Sequence, residues 1–109
     1  MTATWHIDPN FWHAEWEGPN SGSGVSFIFI TTDETGYGPK LHRHPYPETF
    51  IVQLGRAKFY LESEEFVAVA GDIVVAPAGS AHRFENLGTG RLQMIDVHAS
   101  PRFITEWLV

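Results

Sequence analysis

A chain of 109 residues is one domain of ordinary size, and 43% hydrophobic with 18% charged residues marks it as globular rather than disordered. Seven Lys and Arg against 13 Asp and Glu give a formal charge of -6, which is repelled by nucleic-acid phosphates and anionic lipid and sets both aside as partners. With no cysteine, neither a disulfide nor a thiolate metal site is available.

In chain order, Met1-Thr2-Ala3-Thr4-Trp5-His6 holds neither a basic leader nor an apolar signal core. No apolar run reaches the length of a membrane span, so the expectation is a soluble cytoplasmic protein. Residues 1 to 24 read as irregular: they carry Trp5, Trp12 and Trp16 and end in the loop-forming stretch Pro19-Asn20-Ser21-Gly22-Ser23-Gly24. Within them, residues 11 to 17 could form an edge strand. Strand-length runs rich in β-branched and aromatic residues follow at Ser26 to Thr32, Thr49 to Leu54, Ala57 to Leu61, Glu65 to Ala70, Asp72 to Ala76, His82 to Leu87 and Arg91 to Val97. Short strands with no long helical period between them predict an all-β sandwich or barrel. In the tail, Pro101 to Val109, the spacing of Phe103, Ile104, Trp107 and Leu108 predicts a short C-terminal helix.

Two clusters carry chemistry. In the first, His42, His44 and Glu48 share one parity with Phe50, Val52 and Leu54. In an extended chain this points two imidazoles and a carboxylate toward an apolar interior, provided Pro45 and Pro47 do not break the pleat. Burial of such groups is costly without compensation, and a divalent cation supplies it. The same run read alone is equally an exposed loop with a surface carboxylate. In the second cluster, Gly71 precedes a strand, Pro77-Ala78-Gly79 turns the chain, and His82 opens the next strand on the parity of Phe84.

Together the clusters read Gly36-x5-His42-x-His44-x3-Glu48-x6-Gly55 and Gly71-x5-Pro77-x-Gly79-x2-His82-x3-Asn86. In identity and spacing this resembles the two motifs of the cupin superfamily, with the short intermotif stretch of compact microbial-type cupins. The resemblance implies a single jelly-roll-like β-barrel over residues 25 to 99, followed by the helix at 101 to 109. It implies one divalent ion (Fe, Mn, Ni, Zn, Cu or Co) held by His42, His44, Glu48 and His82. The glycines and proline are then turn residues, and Asn86 a hydrogen-bonder at a strand end. Phe50, Tyr60 and Phe84 are expected inside the barrel.

His98, at the end of the last strand, and Tyr46, beside the ligand cluster, are the candidate acid/base groups; His6 and His13 are expected on the surface. The N-terminal tryptophans and the tail either cover the outside of the barrel or make a dimer contact, and a homodimer is expected. Four protein ligands leave one or two positions open on the ion. The expected function is therefore a metal-dependent enzyme of dioxygenase or isomerase/lyase type on a small organic substrate. The alternative is a non-catalytic, metal-dependent binding or sensing module.

Overall fold

The computed structural model describes residues 4–18 and 21–109. Its ten strands are β1 (Ala14–Trp16), β2 (Ser26–Thr32), β3 (His42–Arg43), β4 (Glu48–Leu54), β5 (Arg56–Leu61), β6 (Glu64–Val69), β7 (Ile73–Ala76), β8 (His82–Asn86), β9 (Leu92–His98) and β10 (Glu106–Trp107). All seven runs expected from the sequence are strands to within one residue at either end, each being rich in β-branched or aromatic residues between turn residues. Residues 11 to 17 supply β1, so the first 24 residues are not wholly irregular. Met1–Ala3 and Pro19-Asn20 lie outside the described residues.

The strands form two antiparallel five-stranded sheets, ordered β1-β2-β9-β4-β7 and β10-β3-β8-β5-β6. The expected closed barrel is instead an open jelly roll: among the described residues no ladder joins one sheet to the other. The inner faces meet through side chains, Phe50 of β4 lying edge-on to Phe59 of β5 (centroids 5.0 Å) and to Phe84 of β8 (6.0 Å). Ile30, Val52, Leu92 and Met94 complete the buried core around them. Trp12 and Trp16 pack on Phe29 and Phe27, on the opposite face of β2, and so cover the outside of that sheet.

Register on the first sheet sets the site. Inward-facing residues of β2, β9 and β4 align in rows: Ser26, His98 and Glu48; then Ile28, Asp96 and Phe50; then Ile30, Met94 and Val52. The first row is polar and the third apolar. Leu54, expected inward with Val52, is 45% exposed. A bulge between Val52 and Leu54 shifts the register there and turns the remaining side chains over. Gly55 then reverses the chain at φ 80°, where a Cβ would stand 2.2 Å from the Arg91 carbonyl oxygen, so only glycine fits. Tyr60, expected inside, faces outward, where its hydroxyl donates to Glu85 (2.9 Å) and Arg83 stacks on its ring (4.0 Å).

The tail corrects a second expectation. Residues 101–109 form no helix; Glu106 and Trp107 pair with Arg43 and His42 as β10 on the edge of the second sheet. Nine residues are too few to hold a helix without strong tertiary support. The extended form instead engages its backbone, with Leu108 N–H donating to the Leu41 carbonyl (3.0 Å) and Arg43 pairing with Glu106 (2.8 Å).

Candidate metal centre

Residues 42, 44, 46, 48 and 50 are all buried although the strand is interrupted by a bend at Pro45-Tyr46, where the chain passes from the second sheet to the first, so His42, His44 and Glu48 still reach one interior. His82 arrives from β8, where it is the cross-strand partner of His42. The turn before it is clamped to the first cluster: Gly79 N–H donates to the His44 carbonyl (2.7 Å). Asn86, as expected, ties a strand end, donating to the Glu34 and Gly90 carbonyls (both 3.1 Å) and accepting from Gly88 N–H (3.0 Å).

His42, His44, Glu48 and His82, all buried, each offer one ligand atom, and these atoms lie within 4.8 Å of one another. The outer nitrogens define the chemistry. His42 Nδ1 lies 2.7 Å from the Lys40 carbonyl, His44 Nδ1 2.8 Å from that of Ile104, and His82 Nδ1 2.9 Å from that of Ser80. A carbonyl only accepts, so each Nδ1 carries the proton and each neutral ring turns its Nε2 lone pair inward. There His44 and His82 Nε2 stand 3.1 and 3.0 Å from Glu48 Oε1. His44 Nε2, moreover, is buried without an aligned hydrogen-bond partner. Lone pairs facing a carboxylate at such distances need positive charge between them, and a divalent cation meets three imidazoles and a carboxylate as ordinary ligands. The residues therefore fit the ion, and His42, His44, Glu48 and His82 form a metal site.

Electrostatics agree. Without the ion, burial opposes ionisation of Glu48, but N–H groups turned toward it by His44, His82 and His98 once those rings take up protons outweigh burial and hold the carboxyl well below the usual range. For His42 burial dominates and lowers the pKa. For His44 burial also works against charge, yet Glu48 and the Ile104 carbonyl prevail and raise it. Glu48 thus stays ionised on acidification, and loss of metal is carried by protons competing for the imidazole Nε2 atoms, with His44, whose pKa is raised, protonated before His42, whose pKa is lowered. Metal affinity measured against a chromogenic chelator should fall steeply, by up to about tenfold per pH unit for each proton bound, as pH drops below about 6.5. An affinity flat from pH 8 to 5 would place the metal on other ligands.

His98 and Tyr46 adjoin this centre. His98 Nε2 lies 3.1 Å from Glu48 Oε2, the carboxylate oxygen turned away from His44 and His82. Its Nδ1 is 2.7 Å from the Tyr46 hydroxyl, which accepts from Ile104 N–H (3.2 Å). With the Tyr46 proton donated to Nδ1, His98 differs from the other three rings in presenting N–H, not a lone pair, to the carboxylate. His6 and His13 are exposed, as expected, though His13 stands at the rim of a cavity.

That cavity, of about 510 Å³, opens onto His42, His44, Glu48 and His98. Ile28, Phe29 and Ile30 of β2, Phe50, Phe84 and Phe103 form much of its wall. Trp107 leans on His42 (5.1 Å) and Phe103 on His98 (4.9 Å), so the tail closes one side. The sequence reading missed Asp96, a buried carboxyl in the same wall. The signal was present: it shares the inward parity of Met94 and His98 in an otherwise apolar strand.

An open jelly roll that buries three imidazoles and a carboxylate beside an apolar cavity defines a metal-binding protein of the cupin type. The cupin domain family model matches residues 29–98, and the chain belongs to that family. Among solved structures it resembles a single-site variant of Bacillus subtilis oxalate decarboxylase (TM-score 0.74, 20% identity), covering 86% of this chain and 27% of that one. Another structure of the Bacillus subtilis enzyme, described for its Mn(II) centres, gives TM-score 0.76 at 22% identity over 86% of this chain and 27% of that one. The formate complex of Lactobacillus farciminis oxalate decarboxylase gives 0.70 at 25% identity over 78% of this chain and 27% of that one. The chain thus spans about a quarter of the length of these decarboxylases. No curated protein matches the sequence significantly.

Proposed function

We propose that the protein is a metal-dependent enzyme acting on a small, largely apolar organic molecule, with His98 as its acid/base group and Tyr46 as the residue that positions it. The observation that carries this reading is the cavity itself: its apolar wall ends at the ligand cluster and at His98. A bound divalent ion would supply Lewis-acid polarisation of an oxygen donor.

His98 lines the cavity and turns its buried Nε2–H toward Glu48 Oε2 (3.1 Å), the contact that proton transfer to a substrate oxygen would replace. Tyr46 stands behind His98, fixing its tautomer; burial raises the phenol's pKa and keeps its proton in place. Phe103 and Trp107 flank this end of the cavity, Phe103 against His98 and Trp107 against His42. The substrate class follows from what the wall lacks. Among its described residues there is no Lys or Arg, so a small dianion such as oxalate would find no countercharge beyond the metal ion, whereas the apolar wall suits a largely apolar neutral molecule. Similarity to oxalate decarboxylases therefore informs the architecture more than the substrate.

Protein loaded separately with Fe(II), Mn(II) and Zn(II) should be incubated with small ketones, diols and aromatic alcohols while dioxygen uptake and product mass are followed. Turnover is expected in at least one metal form. His98→Gln should lower it by about 100-fold and Tyr46→Phe by about tenfold, both with metal retained. Ligand binding without turnover in every form would establish a binding module instead.

A further inference from the structure

Asp96 is the one inward carboxyl of β9, and nothing around it explains it. It is 2% exposed, and its Oδ1 is buried without a hydrogen-bond partner. Its row neighbours are Ile28 and Phe50, neither of which offers a polar side chain. Such a group destabilises a fold, and a valine of nearly the same shape would fill the position without that penalty. Yet Asp96 lines the cavity, one row from Glu48 and His98, which is about 7 Å along the strand. A molecule with one end at the metal cluster would bring its other end over Asp96.

We propose that Asp96 is the hydrogen-bonding anchor for the pocket's ligand, engaging a hydroxyl or carbonyl oxygen at the end of a mostly apolar molecule whose opposite end faces His42, His44, Glu48 and His82. This rests on the reading of the cavity as a small-molecule site, and narrows it to ligands with an oxygen donor at each end of an apolar body. Burial, and after it the charge of Glu48, raise the Asp96 pKa well above the carboxylate range. A protonated carboxyl both donates and accepts, which suits a neutral oxygen group and disfavours an apolar terminus.

The test uses Zn(II)-loaded protein and two probes, benzohydroxamic acid and its 4-hydroxy derivative, with binding followed by titration calorimetry. The wild type should bind the hydroxylated probe about five- to tenfold more tightly, the ordinary worth of one hydrogen bond. Asp96→Asn should keep that preference. Asp96→Val should erase it, leave the affinity for benzohydroxamic acid within about twofold, and melt above the wild type, since an unpartnered polar group has gone. Retention of the preference in Asp96→Val, or a lower melting temperature for it, would overturn the assignment. Equal binding of both probes to the wild type would overturn it too while leaving the small-molecule site intact. Failure of either probe to bind any loaded variant would overturn the cavity reading and this proposal with it.

Discussion

His82→Ala is expected to lose most of its bound metal, with affinity reduced by more than about 100-fold. Partners that merely orient a ligand cost about 10- to 100-fold when removed, and His82 supplies a ligand atom itself. The substitution withdraws the only contribution of β8 to the centre and leaves Glu48 Oε1 without the imidazole 3.0 Å away. The strand pairing of His82 with His42 runs through backbone and survives. Arg83→Ala, one residue on and facing out over Tyr60, should bind metal as the wild type does. Metal content of the two variants, purified side by side without chelator, checks this, and full occupancy in His82→Ala would remove it from the ligand set.

Phe50→Ala is expected to cost about 3–5 kcal/mol, a large share of the stability of a domain this size. Phe50 is buried between the two sheets and touches both halves of the molecule: Phe59 and Phe84 across the core, and the His82 ring at 5.9 Å. With no ladder joining the sheets, side-chain packing of this kind carries much of their cohesion. Urea titration should show the midpoint falling with little change in slope. Metal at about 100 times its dissociation constant should restore about 2.7 kcal/mol, because the ion binds only the folded chain. A loss below about 1 kcal/mol would mean that the sheets are held by something other than this contact.

The part of the site that could be read from the sequence is the part written in fixed spacing. His42, His44, Glu48 and His82 sit at ligand intervals on one parity, and that parity persists as burial even across the bend at Pro45-Tyr46. Parity also held information left unused: Tyr46 lies between two inward ligands and Asp96 between Met94 and His98, and both are buried. Errors arose where a local pattern met a tertiary competitor. The tail has helical spacing, but Leu41 and Arg43 offer a sheet edge that satisfies its backbone. Leu54 was misplaced by a bulge, which no period-two pattern foresees. Tyr60 turned outward because a phenol with Glu85 and Arg83 beside it is better satisfied there than in an apolar core. Whether a sheet closes into a barrel depends on edge pairing between distant strands, which spacing within a strand does not encode.

Diffraction from crystals of the metal-loaded protein, collected on both sides of the metal's absorption edge, tests the centre most directly. We expect one anomalous peak per chain, about 2.0–2.3 Å from Nε2 of His42, His44 and His82 and from a Glu48 oxygen. A peak elsewhere, or none at full loading, would contradict the account.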